Sequence, residues 1–316
     1  MTRVLVTGAE GFVGRRLVPR LLEHGASVIA CHGPGTNPAD SWISTPRPAR
    51  CDPVELDICD RGAVERVFRE HLPDAVVHLA GLSDVGASWQ RIDDYYRVNV
   101  EGSEFVAAAA RSLSKQCRLI VASSAEVYGR VPEGELPVGE DRPLRPRSPY
   151  AMTKASVERL TLDGGAIAAR SFNLIGPGQS VQFALPSFAA QLAQIEAGRK
   201  EPVLRVGNLT SRRDFTHVDD GADAYAVLVE RGEQGSAYNI ARGEAIELAA
   251  ALRRLIEISG VTTEVLEDPD RLRPVDVPAL CGDGSRLRAL GWSARRSFEQ
   301  ALSEIWEDAR KTWERG

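Results

Sequence analysis

The first twenty-four residues constrain this chain more than any other stretch. Arg3-Val-Leu-Val-Thr7 is a short, β-branched apolar run of the kind that forms a buried strand. It leads into Gly8-Ala-Glu-Gly11-Phe-Val-Gly14, and Arg15-Arg-Leu-Val-Pro-Arg-Leu-Leu-Glu-His24 then carries a helical pattern. Strand, glycine turn and helix in that order are the context of a dinucleotide-binding unit. Gly8 makes the tight turn, Gly11 lets backbone approach a pyrophosphate, and Gly14 lets helix pack on strand. The N–H groups at the helix start are then offered to the phosphates.

The alternation continues through the first half. Expected strand segments are 3–7, 27–31, 53–57, 74–80, 117–123 and 166–172, and helical ones are 11–24, 60–70, 88–113 and 149–162. This predicts an α/β fold, a Rossmann-type doubly wound parallel sheet with helices on both faces. From about 173 the pattern loosens into helices and short strands (184–198, 203–206, 218–231, 246–259, 297–313), read as a smaller C-terminal α/β lobe that binds substrate. The expected division is 1–172 and 173–316, with a boundary that allows interleaving. Residues 32–50, rich in Gly, Pro and Ser, and 130–149, with five prolines, read as loops.

At 316 residues and 43% hydrophobic content the chain can bury a sizeable core. A net charge of −5 argues against a nucleic-acid partner. No apolar run is long enough for a membrane span, and residues 1–7 are expected to start the fold instead of a signal peptide. The five cysteines lack a CxxC pair and the five histidines lack ligand spacing. Reduced thiols, a cytoplasmic setting and no metal are expected.

Lysine is rare here, four against thirty-five arginines, yet Lys154 falls four residues after Tyr150. Residues i and i+4 share one helix face. An ammonium there favours the phenolate and is expected to lower the Tyr150 pKa, giving a proton donor and acceptor near neutral pH. Leu119-Ile-Val-Ala-Ser-Ser124 is an apolar strand ending in two hydroxyls, and ligands of such sheets bind beyond the C-terminal strand ends. Ser124 could thus hydrogen-bond a carbonyl oxygen that Tyr150 protonates. Ser123 and Ser124 could equally do no more than cap the strand.

Glycine turn, strand-end Ser and Tyr-x-x-x-Lys together resemble the short-chain dehydrogenase/reductase superfamily, and the Gly-x-x-Gly-x-x-Gly spacing is similar to its extended branch. Further segments resemble that branch in order: His78-Leu-Ala-Gly81, Arg97-Val-Asn-Val-Glu-Gly-Ser103, Arg147-Ser-Pro-Tyr-Ala-Met-Thr-Lys154, Arg170-Ser-Phe-Asn-Leu-Ile-Gly-Pro-Gly-Gln179, Val206-Gly-Asn-Leu-Thr-Ser-Arg-Arg-Asp-Phe215 and Leu272-Arg-Pro-Val-Asp-Val-Pro-Ala-Leu-Cys-Gly-Asp283. Across the chain they resemble the GDP-4-dehydro-6-deoxymannose reductase and GDP-mannose 4,6-dehydratase group, with Gly-Pro-Gly-Gln and Val-Gly-Asn-Leu favouring the reductase.

The resemblance implies a nucleotide-diphosphate sugar as substrate and NADP, or else NAD, as cofactor. It places Gly8, Gly11, Phe12, Gly14, Asp57, Ile58, Leu79 and Ala80 on the cofactor, together with Tyr150 and Lys154. Ser83, Ser124, Asn173, Arg213, Arg273 and Asp276 would meet the substrate, the arginines through a guanidinium fork suited to phosphate. Arg213 and Asp214 read without it as a surface ion pair. The implied reaction is reduction of the C4 keto group of a 4-keto-6-deoxyhexose. Glu126 aligns with the glutamate by which related 4,6-dehydratases remove the C5 proton, but Ser124-Ala125-Glu126 lacks their neighbouring polar group. Dehydratase, C4 epimerase and a non-enzymatic dinucleotide-binding sensor or scaffold remain alternatives.

The second strand ends Val28-Ile-Ala-Cys-His32, with no carboxylate for an adenosine 2′-hydroxyl. Arg15 and Arg16 could meet a 2′-phosphate, hence the preference for NADP, or could simply be solvated. Only about a dozen residues separate Lys154 from the strand at 166, so Gly164-Gly165 is expected to make a tight connection. Homodimerisation through the helices at 88–113 and 149–162 is implied by the resemblance.

Overall fold

The computed structural model describes residues 1–36, 49–271 and 277–314. The nucleotide-binding layer opens with β1 (Arg3–Thr7), α1 (Gly14–Glu23), β2 (Ser27–His32), β3 (Cys51–Glu55), α2 (Arg61–His71) and β4 (Ala75–His78). One continuous helical run follows: α3 (Ile92–Tyr95), a wide π turn (Tyr96–Glu101) and α4 (Gly102–Ser112). Next come β5 (Arg118–Ser124), α5 (Pro149–Leu162) and β6 (Ile167–Ser171). The remainder holds β7 (Asn173–Ile175), α6 (Ala184–Glu196), β8 (Val203–Val206), β9 (Arg212–His217), α7 (Val218–Arg231), β10 (Ala237–Ile240), β11 (Ala245–Glu247), α8 (Leu248–Ser259), β12 (Glu264–Glu267), β13 (Ala279–Leu280), α9 (Ser285–Ala289) and α10 (Phe298–Glu314).

The main sheet is parallel and seven-stranded, in the order β10-β6-β5-β4-β1-β2-β3. Its order reverses between β1 and β4, which opens a crevice beyond their C-terminal ends. Alternate residues of β1 feed opposite cores, as the two-residue period of a strand requires. Val4 and Val6 pack with Leu17 and Leu21 of α1 and with Tyr225 and Leu228 of α7. Leu5 packs on the other face with Val64 and Phe68 of α2, Val106 of α4 and Val157 of α5. A third core joins α6, α8 and α10 around Leu192, Leu255 and Trp306.

The chain does not leave the first layer after β6. β10 returns to the sheet edge beside β6, with Ala237 opposite Ala168 and Ile240 opposite Ser171, and α7 packs on α1. Sequence periodicity misses β10 because Ala-Tyr-Asn-Ile is too short to show a pattern. It misses β9 because Arg-Arg-Asp-Phe-Thr-His is polar, although five of its six residues are buried. The helix expected at 88–113 runs without a gap from Ile92 to Ser112, with its turn at 96–101 widened around Asn99 for a reason that lies in the site. The expected strand at 53–57 sits two residues earlier, and the helix expected from 11 starts at Gly14. Gly164 and Gly165 do close the turn from α5 to β6, with both amides bonded back to the last turn of α5.

Candidate active site

The glycine turn between β1 and α1 is shaped for close approach. Gly8 stands at φ +66°, and a Cβ there would lie 2.8 Å from the Ala80 nitrogen. A Cβ on Gly14 would fall 2.3 Å from the Gly8 carbonyl oxygen, so only hydrogen lets α1 pack there. Val13, at the start of α1, provides no side-chain cap. A bare turn leading to an uncapped helix N-terminus at the switch point fits a dinucleotide pyrophosphate.

The neighbouring expected residues border the same crevice. Phe12 is half-buried in the turn, and Leu79 and Ala80 continue β4, their amides bonded to the Thr7 carbonyl and hydroxyl at 3.2 Å each. Asp57 follows β3, exposed, and accepts from the Cys59 amide at 2.9 Å. Ile58 is buried against Gly102, where a Cβ would meet it at 2.9 Å. Ser83 is exposed in the loop after β4.

Ser124, Tyr150, Lys154 and Glu126 come from β5, the turn after it, and α5. Ser148 caps α5, its Oγ accepting from the Ala151 amide at 3.1 Å, and Pro149 opens the first turn. Tyr150 thereby sits at the open end of α5, and Lys154 follows on the same face. The Ser124 hydroxyl accepts from the Glu126 amide at 3.2 Å and hydrogen-bonds to Tyr150. Lys154 Nζ donates to the Ala122 carbonyl at 3.0 Å and lies 6.0 Å from the Tyr150 ring centre.

Burial rules both protons. It pushes the Tyr150 phenol well above its ordinary value, while the Ser124 hydrogen bond pulls it down and the Glu126 carboxylate pushes it up. The shift is opposite to the one the Tyr-x-x-x-Lys spacing predicts, because desolvation is its largest cause at a residue only 8% exposed. Burial also lowers the Lys154 ammonium to about 8.

Asn99 is a site residue that no role was expected for. Its Oδ1 accepts from the Leu82 amide at 2.8 Å, and Nδ2 donates to the Leu82 carbonyl at 3.0 Å and to Thr153 Oγ1 at 3.1 Å. The π turn 96–101 turns Asn99 inward onto the loop after β4 and the face of α5, and so widens the helix at that point without ending it. Beneath it runs a buried chain. Ser103 Oγ donates to the Asn99 carbonyl at 2.5 Å, so it must accept from His78 Nε2 at 2.8 Å. The other ring nitrogen, Nδ1, then accepts from Thr7 Oγ1 at 2.7 Å. Burial first, and Lys154 second, lower the His78 imidazole to about 3, so it is neutral.

A second buried network supports β5 from behind. Glu158, one turn beyond Lys154, receives Arg170 Nε at 3.1 Å and a terminal guanidinium nitrogen at 2.7 Å. It also accepts from Ser123, the neighbour of Ser124. Arg170 continues to the Tyr128 hydroxyl at 3.0 Å and the Glu140 carbonyl at 2.7 Å. The spacing Tyr150–Lys154–Glu158 was a signal for this residue, since all three share one face of α5.

The expected substrate residues divide into groups. Asn173 and Arg213 line one cavity of about 330 Å³ together with Gln179, Asn208 and Arg271. Ser124 and Tyr150 lie outside that lining. Arg213 and Asp214 are not a surface pair: both are buried, and Asp214 accepts from the amides of Arg242, Gly243 and Gly282. Arg273 and Asp276 lie outside the described residues. Arg15 donates to the Glu10 carbonyl at 3.2 Å, and Arg16 reaches the Pro177 carbonyl at 3.2 Å and Asp219 at 3.7 Å.

Comparison with known proteins places this geometry. The profile of the GDP-mannose 4,6 dehydratase family matches residues 5–305. The GDP-6-deoxy-D-mannose reductase of Pseudomonas aeruginosa is 33% identical over 97% of this chain and 96% of its own length. The UDP-glucose 4-epimerase of Bacillus subtilis is 29% identical over 96% and 95%. The structure of RMD from Pseudomonas aeruginosa complexed with NADPH aligns at TM-score 0.82 and 29% identity, over 99% of this chain and all (100%) of that one. The UDP-glucose 4-epimerase of Thermus thermophilus in complex with NAD aligns at 0.85 and 29%, over 98% and 99%. No helix among the described residues is long and apolar enough to cross a membrane.

Proposed function

The chain belongs to the GDP-mannose 4,6-dehydratase family, extended short-chain dehydrogenase/reductases that bind NAD(P) and modify nucleotide sugars, and from that premise we propose that it reduces the C4 keto group of a nucleotide-linked 4-keto-6-deoxyhexose. One observation carries the choice. Ser124, Tyr150 and Lys154 form a complete proton-delivery set, while the residue between Ser124 and Glu126 is a buried alanine, Ala125. Elimination of water across C5 and C6 needs both a base and an acid. Here the carboxylate of Glu126 has no acidic or hydroxylic neighbour at position 125.

When bound, NAD(P)H supplies the hydride that reaches C4. Ser124 hydrogen-bonds the carbonyl oxygen and holds it beside Tyr150. Tyr150 gives its proton to the alkoxide as negative charge develops. A phenol held above its ordinary value keeps that proton at neutral pH and still donates readily to a more basic alkoxide. Lys154, with one donor on the Ala122 carbonyl, has two further N–H groups for a ribose hydroxyl and sets a positive charge near the phenol. Asn173 and Arg213 would hold the sugar nucleotide in the cavity beside β7 and β9, the guanidinium on a phosphate. Arg273 and Asp276 belong to the same expected set.

The reading includes a homodimer. α3, the π turn and α5 expose large apolar side chains: Ile92, Tyr96, Met152 and Leu160. Such side chains on neighbouring helices suit a second copy of the chain.

The test is oxidation of NADH and NADPH by the purified protein, with GDP- and dTDP-4-keto-6-deoxyhexoses supplied in parallel. Rapid oxidation with one sugar is expected, and Tyr150→Phe should lower kcat roughly 10²–10⁴-fold. No oxidation with either sugar defeats the proposal and moves attention to Glu126 and dehydration.

A further inference from the structure

The end of β2 holds an unsatisfied carboxylate that the strand itself does not supply. The place about 20 residues beyond a glycine turn is where an acidic side chain meets the adenosine 2′-hydroxyl of NAD. Here that place is His32, whose ring is turned away to the Gly33 carbonyl at 3.3 Å and Thr36 Oγ1 at 3.1 Å. Glu10, inside the glycine turn, reaches across instead. Its Oε1 accepts from the Gly33 amide at 2.9 Å. Its charge also helps to raise the buried Cys31 thiol, the last residue but one of β2.

The second oxygen, Oε2, is buried and has no hydrogen-bond partner among the described residues. A buried carboxylate oxygen without a donor is costly, and in a binding crevice it signals a donor that arrives with the ligand. We propose that Glu10 takes the adenosine ribose hydroxyl and makes this protein select NAD(H) over NADP(H). The acid has moved from the strand end into the turn. A ribose 2′-hydroxyl donates to Oε2, whereas a 2′-phosphate brings like charge against it, so the same group attracts one cofactor and repels the other. The nearby arginines do not reverse the sign. Both side chains run to another side of the turn: Arg15 bonds the Glu10 carbonyl and lies by Gly178, and Arg16 bonds the Pro177 carbonyl and faces Asp219 at 3.7 Å. The Nε of each, buried and without a hydrogen-bond partner among the described residues, is not bonded to Oε2.

The test reads binding alone and needs no sugar, so it is independent of the proposed reaction. Dissociation constants for NADH and NADPH are measured by cofactor fluorescence on the full-length protein, with thermal melting as a check of folding. The unaltered protein is expected to bind NADH at least roughly tenfold more tightly than NADPH. Glu10→Gln, which keeps an acceptor for the Gly33 amide but loses the charge, should shift the ratio toward NADPH by about tenfold. Glu10→Ser, with room for a phosphate, should shift it further. Equal or tighter NADPH binding by the unaltered protein overturns the proposal. So does a Glu10→Gln protein that weakens both cofactors alike, which would make Glu10 a brace for the β2 loop and nothing more. If neither variant folds, the ratio for the unaltered protein decides.

Discussion

His78 shows how a single side chain ties the floor of the site to its chemistry. The ring must stay neutral to accept from Thr7 and donate to Ser103, and burial holds its pKa at about 3 against an ordinary 6.5. Between those values the unfolded chain takes up a proton that the folded one refuses. Stability is therefore complete above pH 6.5 and falls as pH drops toward 3, by on the order of 4–5 kcal/mol from this group. We expect His78→Gln to lower Tm at pH 7 but to flatten its decline between pH 6.5 and about 4. An unchanged slope in pH-resolved melting would assign the acid sensitivity to other groups. The histidine was visible in the sequence, but its two partners lie 71 and 25 residues away, and periodicity says nothing of such contacts.

At the scale of elements, α5 carries more than its two familiar positions. Tyr150 and Lys154 line the crevice while Glu158, a further turn along, anchors the helix to β6 through Arg170 and to β5 through Ser123. Glu158 and the Arg170 side chain are almost wholly buried, so removing one leaves the other charged and unpaired. Glu158→Leu or Arg170→Met alone should cost about 3–5 kcal/mol, and the double substitution less than either. Denaturant melts of the three variants would give the coupling; additive losses would mean that the pair does not act as a unit. The same scale explains the widened turn in the helical run before β5. The π turn fits one extra residue into the helical run 92–112, and Asn99 within it faces the Leu82 backbone. Sequence pattern reads the helical tendency but not the side-chain contact that the widened turn serves.

For the whole molecule, the surface left open by α3, the π turn and α5 is the relevant feature. If Met152 and Leu160 sit at a dimer interface, Leu160→Glu should convert the dimer to a monomer in light scattering, with the melting transition of each subunit retained. A protein that is already monomeric at micromolar concentration would remove the dimer from the proposal. The layers themselves are not separable in chain order, because β10 and α7 return to the first sheet after the chain has begun the second lobe.

The N-terminal strand, glycine turn and helix, the parallel doubly wound class and the Ser124–Tyr150–Lys154 set were legible from residues alone. Each rests on local spacing, a turn that needs glycine or two side chains one helical turn apart, and local spacing survives in a linear text. The return of β10, the burial of Arg213 and Asp214, the direction of the Tyr150 shift and the reach of Glu10 to Gly33 were decided by tertiary structure. In each case the deciding quantity is what surrounds a group in space. Burial set the direction of the shift at Tyr150, and at the end of β2 a carboxylate arrived from 23 residues earlier in the chain.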